Sequence, residues 1–394
     1  MPSTATAELG VGDLVAVTLP PGPEWAGILA GAWEAGAALL PVDHRLPPSQ
    51  TRDLIDRGSP TVLVDARGWH RQRSGRPADE GVALVVHTSG TGGVPKLVQF
   101  DRPAIDAAVA SSALALEASP HDRWLCCLPL AHVGGLLALL RSVLLGAPVT
   151  VHPRFDPAAV AAEQDQAFVS LVPTMLVRLL DAGADLSRFR AILVGGATVP
   201  PKLAERARAE GAKVIETYGL TESCGGVVYD GRALPGTEVR IDGDGGIQLR
   251  GPTVMRGYFG DPQATAEAFT DGGWLRPGDA GWIDGEGRLR VAGRLDDLIN
   301  TGGEKVWPAE VEAALQDAPG VTEVAIAGRP DPEWGQRVVA YVVPADPTAP
   351  PSLEALRDHV ARSLPRHMAP RELVLVAEGL PRTASGKVHR AALG

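Results

Sequence analysis

Short apolar runs alternate with stretches of mixed polarity over the first half of the chain. DLVAVTL (13–19) predicts a buried strand, and the small-residue stretch 25–38 behind it predicts a helix. A second helix is expected over 48–57, opened by prolines where a missing N–H costs little. TVLVD (61–65), VALVVH (82–87), AFVSLV (167–172), AILVGG (191–196) and KVIETYG (213–219) read as further strands. One helix starts at Pro173 and Thr174, and another covers 200–210. This alternation implies βαβ units, hence an α/β fold with largely parallel sheet covered on both faces. Past Asp230 the rhythm shortens: TEVRID, GGIQLRG and GRLRVAG are separated by Gly and Asp turns and predict antiparallel hairpins or a small barrel. Then come a helix (308–316), strands VTEVAIAG and RVVAYVV, a helix (353–364) and a strand ELVLVA. The expected division is a large domain over 1–295 and a small α+β domain over 296–394.

Composition excludes several roles. With 37 basic and 47 acidic residues, a net charge of −10 disfavours a face for nucleic acid or anionic membrane. Three cysteines, two of them adjacent at 126 and 127 and none in a CxxC, build neither a disulfide framework nor a zinc site. The chain reads as reduced and cytoplasmic. Its first residues, MPSTATAELG, lack the basic and apolar regions of a secretory leader. The charge-free run 125–140, interrupted by Pro129, His132 and two glycines, is short of the ~20 apolar residues of a membrane span.

The chemistry concentrates in a few segments. Thr88-Ser89-Gly90-Thr91-Gly92-Gly93-Val94-Pro95-Lys96 directly follows a predicted strand. Glycines let backbone N–H groups turn toward an anion, hydroxyls add donors, and the lysine supplies counter-charge. The lysine follows a proline and precedes no Ser or Thr, unlike the GxxxxGK[ST] loop. Tyr218 offers a ring for a purine. Glu222 is a hard ligand for Mg²⁺ shared with phosphates. Asp279 suits ribose hydroxyls, and Arg294 ribose or phosphate oxygens. Gly195, Gly196 and Ala197 end a strand and permit close approach of a ligand. Each has a plain alternative: a core tyrosine, a surface carboxylate, a Gly-Asp turn, a salt bridge, a strand-end turn. Cys126 and Cys127 read as core, and nothing makes Cys224 a nucleophile.

The loop at 88–96 resembles the phosphate loop of the acyl-adenylate-forming ligases, which include acyl-CoA synthetases, adenylation domains and luciferases. Four further segments are similar to that family's motifs, in order. Tyr218-Gly219-Leu220-Thr221-Glu222, with Thr217 before it, resembles the adenine and magnesium motif. Trp274-Leu275-Arg276-Pro277-Gly278-Asp279 resembles the ribose segment, Gly293-Arg294-Leu295-Asp296-Asp297 the hinge, and Pro381-Arg382-Thr383-Ala384-Ser385-Gly386-Lys387 the C-terminal lysine motif. Two departures stand out: Gly92 replaces a second threonine, and the usual opening segment is missing. A shortened start, TYGLTESCGGVVYDG and LPLAHVGGLLALLRSVLLG resemble the compact o-succinylbenzoate–CoA ligases of menaquinone biosynthesis.

The resemblance implies a two-step ligation. ATP and a carboxylic acid give an acyl adenylate and pyrophosphate, and the CoA thiol then displaces AMP. The loop residues Thr88, Ser89, Gly90, Thr91, Gly92 and Lys96 would hold phosphates, with Glu222 and Thr91 on Mg²⁺. Lys387 would bridge the reacting oxygens, Asp296 would be the hinge of a rotating small domain, and Gly302 and Gly303 would line the CoA passage. His132, Gly225 and Gly226 would wall the acyl pocket, the glycines leaving room for a ring. His132 and Arg141 are candidates to meet a second carboxylate. Six basic against two acidic residues over 362–390 suggest a dock for the phosphates of CoA. Members of the family are often dimers, while the sequence leaves the oligomeric state of this chain open. The alternative is an adenylating enzyme that loads another aryl or medium-chain acid onto CoA or a carrier protein.

Overall fold

The computed structural model describes residues 9–88, 95–163, 165–382 and 388–393. They fall into two compact units, one of Met1–Val239 and Leu249–Pro277, the other of Arg240–Gln248 and Gly278–Gly394. The division expected at 295/296 lies inside the second unit. The ribbon just before it is tied there by the Leu295 N–H, which donates to the Gly278 carbonyl at 2.8 Å.

The first unit carries two seven-stranded sheets. One contains β1 (Leu14–Val17), β2 (Ala38–Pro41), β3 (Val62–Asp65), β4 (Gly68–Arg71), β5 (Val82–His87) and β6 (Leu97–Asp101). Its centre, β5-β2-β1-β3, is parallel, while β4, β6 and the short strand Gly257–Tyr258 add antiparallel edges. The other contains β7 (Trp124–Cys126), β8 (Val149–Val151), β9 (Phe168–Leu171), β10 (Ala191–Val194), β11 (Val214–Leu220), β12 (Gly225–Tyr229) and β13 (Arg232–Ala233). It is parallel from β8 through β11 and antiparallel beyond. The α/β class is as expected, and the apolar runs are the parallel strands, buried on both faces.

Two expectations change. The helix read over 25–38 ends early: α1 is Glu24–Glu34, Gly36 turns the chain at φ +73°, and Ala38–Pro41 becomes β2. Ala-Leu-Leu continues a helical apolar pattern as well as it begins a strand, so only the glycine marks the break. The region past Asp230 forms two ribbons, Glu238–Ile241 with Ile247–Arg250 and Asp279–Ile283 with Leu289–Arg294. Among the described residues each is a sheet of two strands, as the hairpin expectation has it, and a bridge from Gly246 to Ala280 joins the second ribbon to the first.

The second unit has a five-stranded sheet of Ile299–Thr301, Glu304–Val306, Val321–Asp331, Gly335–Pro344 and Glu372–Leu375. Helices Pro308–Leu315 and Leu353–Val360 close it over a core that includes Val311, Leu315, Ile326, Val338, Ala340 and Leu356. Every element of this unit expected from the sequence is present.

Candidate functional site

In the first unit, the site residues stand where parallel strands end, the usual place for a ligand in α/β sheets. Thr88 and Lys96 are the described ends of the glycine-rich loop; Ser89, Gly90, Thr91, Gly92, Gly93 and Val94 lie outside the described residues. The two ends close on each other. The Thr88 N–H donates to the Lys96 carbonyl at 2.8 Å, and the Lys96 N–H donates to Thr88 Oγ1 at 3.3 Å. The strand pair β5–β6 thus presents the loop from a fixed base.

The Lys96 ammonium lies over the ring of Tyr258, 4.7 Å from its centroid. The Tyr258 hydroxyl in turn donates to Glu222 Oε1 at 2.9 Å. Glu222 sits in a short 3-10 turn, Thr221–Ser223, just after β11. Buried Ser223 pins the turn: its hydroxyl accepts from the Leu220 N–H at 3.1 Å and donates to the Gly225 carbonyl at 2.8 Å. Tyr258 carries no motif signal; its link to Glu222 spans 36 residues of sequence and needed the fold to be seen.

Gly195, Gly196 and Ala197 end β10 beside Thr217 of β11. A Cβ on Gly195 would run into Thr217 Oγ1, and Gly196 holds φ +78°. Gly196 and Ala197 are exposed, and Thr217, Tyr218, Gly219 and Thr221 are half-buried along the same rim. Gly219 is required by packing, since a Cβ there would strike the Gly225 carbonyl oxygen. Gly225 and Gly226 are likewise places where a Cβ would meet a packed neighbour. Leu137 occupies the space beside Gly225, and the Tyr229 ring approaches that beside Gly226 to 2.9 Å.

His132 stands just before α4 (Val133–Leu145), the helix that follows α2 (Pro48–Gly58) and α3 (Arg102–Ala115), without a side-chain capping bond. Its ring meets that of His87 edge-on at 5.3 Å between centroids. His87 is buried on β5, next to Thr88. Burial, and then the neighbouring His132, pull its imidazole down to about 4, so it stays neutral. Nearby Asp43 is pushed up by burial, yet Arg45, donating to both of its oxygens, holds it at about 2. Arg141, a candidate for a second carboxylate, is committed elsewhere: it is fully buried, donates to Ser112 Oγ at 2.6 Å and stacks on Trp124 at 3.9 Å. Burial raises the thiols of Cys126, Cys127 and Cys224 to about 12, which removes them as nucleophiles.

In the second unit, Asp279 and Arg294 face each other across the ribbon, with Arg294 Nη1 donating to Asp279 Oδ1 at 3.1 Å. Asp296 is exposed in the 3-10 turn Leu295–Asp297. Gly302 and Gly303 hold φ +60° and +86° between two short strands, the pair of positive angles a tight hairpin turn demands. A Cβ at Gly302 would come within 2.7 Å of the Trp334 ring, whereas Gly303 opens onto free space.

Lys387 and residues 383–386 lie outside the described residues, but both flanks are described. Arg382 and Val388 form an antiparallel bridge, and the His389 N–H donates to the Pro381 carbonyl at 2.8 Å. Arg390 then forks onto Glu312 at 2.6 and 2.8 Å and reaches Asp297 at 3.2 Å. The described flank that follows the lysine motif is therefore anchored, through Arg390, to the helix Pro308–Leu315.

The donor set fits a divalent ion that arrives with a nucleotide. Among the described residues no group of three His, Cys, Asp or Glu side chains forms a protein cage. Glu222 offers a single carboxylate and shares Tyr258 with the Lys96 cation; a Mg²⁺ ion held by one side chain would take its other oxygens from substrate phosphates.

A family model described as AMP-binding enzyme matches residues 5–75 and 65–259, and its companion, AMP-binding enzyme C-terminal domain, matches 310–387. The chain is 40% identical over 386 residues to a probable 2-succinylbenzoate–CoA ligase of Mycobacterium tuberculosis, covering 92% of this chain and 96% of that one. It is 35% identical to an indoleacetate–CoA ligase of Aromatoleum aromaticum, covering 93% and 85%. Among solved structures it resembles the o-succinylbenzoate CoA synthetase of Bacillus subtilis in complex with its acyl-adenylate intermediate. The TM-score is 0.88 at 30% identity, over 99% of this chain and 89% of the other. The same enzyme with ATP and magnesium ion gives a TM-score of 0.87.

Proposed function

Because the chain belongs to the AMP-binding enzyme family, we propose that it is an ATP-dependent o-succinylbenzoate–CoA ligase working through an acyl adenylate. The observation that carries the reading is the gathering of the Lys96 cation and the Glu222 carboxylate on one tyrosine, at the base of a loop rich in glycine and hydroxyls. The substrate assignment draws support from the 2-succinylbenzoate–CoA ligases at 36–40% identity.

In the first step a carboxylate oxygen attacks the α-phosphorus of ATP, and pyrophosphate leaves. Thr88, Ser89, Gly90, Thr91, Gly92 and Lys96 hold the outer phosphates through N–H, O–H and ammonium donors. Glu222 and Thr91 hold Mg²⁺, which when bound neutralises phosphate charge. Tyr218 and the rim of Gly195, Gly196 and Ala197 receive the adenine, with Thr217, Gly219 and Thr221 shaping that rim. Asp279 accepts ribose hydroxyls and Arg294 orients it. Lys387 brings an ammonium to the oxygens where charge develops, so the rate comes from positioning and electrostatics, without a covalent enzyme intermediate. His132 stands at the acyl pocket, with Gly225 and Gly226 contributing backbone. In the second step the CoA thiol attacks the acyl carbonyl and AMP leaves. The small domain over 296–394 turns about Asp296 between the steps, and Gly302 and Gly303 line the passage for the thiol arm. Among the described residues no helix is long and apolar enough to cross a membrane. We place the enzyme in the cytoplasm, as a homodimer.

The test is pyrophosphate release and thioester formation over a panel of acids, with and without CoA. o-Succinylbenzoate should be preferred, and CoA should be consumed one for one. Equal turnover of indoleacetate or a fatty acid, or a product left on a carrier protein, would refute the assignment.

A further inference from the structure

Lys96 and Glu222 carry opposite charges and both touch Tyr258, yet they form no ion pair with each other. The phenol ring lies beneath the ammonium, and the phenol hydroxyl occupies one carboxylate oxygen. Two flexible charged side chains this near a common residue would otherwise gain by collapsing onto each other, which would cancel the cation meant for phosphate and the anion meant for metal.

The tyrosine is held firmly enough to prevent that. Its strand pairs with β6, Tyr258 opposite Val98, and the Phe259 N–H donates to the Leu97 carbonyl at 2.7 Å. The Tyr258 N–H donates to Thr265 Oγ1 at 2.9 Å. Gly257, at φ +155°, leaves no space for a Cβ beside Thr265. The Met255 N–H donates to the Glu222 carbonyl at 2.8 Å, so the same segment also grips the backbone of the Glu222 turn. One short strand thereby registers β6 of the first sheet against the end of β11 in the second.

We propose that Tyr258 is a positioning residue that keeps the Lys96 ammonium and the Glu222 carboxylate apart, the first turned to nucleotide phosphate and the second to the metal. The inference rests on the reading of Glu222 as a metal ligand, and its test separates the two. Mn²⁺ binding is followed by electron paramagnetic resonance with α,β-methylene-ATP present, for the full chain and for Tyr258→Phe, Tyr258→Leu and Glu222→Gln. Tyr258→Phe keeps the ring and removes only the O–H donor; losing a hydrogen bond to a charged group should weaken Mn²⁺ about ten-fold. Its affinity for the analogue without metal should stay unchanged. Tyr258→Leu should weaken the analogue as well, because Lys96 is released. Thioester formation from supplied o-succinylbenzoyl adenylate should be untouched in both. Mn²⁺ affinity of Tyr258→Phe within two-fold of wild type, while Glu222→Gln loses it, would overturn the role given to Tyr258 and leave Glu222 standing. Unchanged Mn²⁺ affinity in Glu222→Gln would remove the metal reading, and the proposal with it. An equal fall in the thioester step would mark Tyr258 as merely structural and also overturn it.

Discussion

Replacing Arg390 with alanine tests whether the lysine-bearing tail is held from its base. The guanidinium donates twice to Glu312, at 2.6 and 2.8 Å, once to Asp297 at 3.2 Å and, through Nε, to the Ile326 carbonyl at 3.2 Å. Glu312 and Asp297 are only 21% and 28% exposed, so removing the cation strands two largely buried carboxylates. Glu312 keeps one donor, the Ile326 N–H at 2.8 Å, which softens the loss. Charge-assisted bonds are each worth about 1.5–3 kcal/mol; allowing for partial exposure, the variant should lose about 2–4 kcal/mol. For a unit of this size that is a fall of about 5–15 °C in melting temperature, read by calorimetry. Lys387 is three residues away, so adenylate formation should fall at least as far as stability requires, and further than thioester formation from supplied adenylate. Arg390→Lys, which keeps charge without the fork, should lie between. An unchanged melting temperature with both half-reactions intact would refute the anchoring argument.

Lys387→Ala should abolish adenylate formation and largely spare the thioester step; equal loss in both half-reactions contradicts the division of labour. Asp296→Pro should impair one half-reaction only, and unaltered kinetics in both would remove the hinge. Gly219→Ala drives a methyl into a backbone oxygen that no rotamer change relieves, and should cost about 3 kcal/mol, measurable by denaturant titration. His87 protonates at about 4 when folded against 6.5 for the free side chain, so the unfolded chain binds the extra proton first. Stability should be full above about pH 6.5 and decline toward pH 4, by an amount on the order of 3 kcal/mol. His87→Gln should flatten that limb, and an identical pH profile would show that the histidine is not the cause.

Strands buried on both faces were legible because unbroken apolar runs such as VALVVH have few other uses. The second unit was legible because its strands and helices are separated by clear Gly and Pro breaks. The strand Ala38–Pro41 was hidden by a preceding helix of the same composition. The helix α3 is rich in alanine and serine, and its main start signal is Asp101, whose carboxylate accepts from the Ala104 N–H at 2.9 Å. Candidate residues inside motifs could be put forward from the chain alone. Tyr258 and His87 could not, since each acquires its meaning from a partner on another strand or helix. The neighbours of Gly225 and Gly226 were equally hidden, since a missing side chain shows that room was needed but not which side chains border it.

The three buried thiols have a bearing on chemistry they take no part in. An acyl adenylate acylates any good sulfur nucleophile, and the protein that makes it holds it at high local concentration. With thiols near 12, fewer than about one in ten thousand would be thiolate at neutral pH. Burial thus leaves the incoming cofactor as the sole competent sulfur and shields the catalyst from self-acylation by its own intermediate.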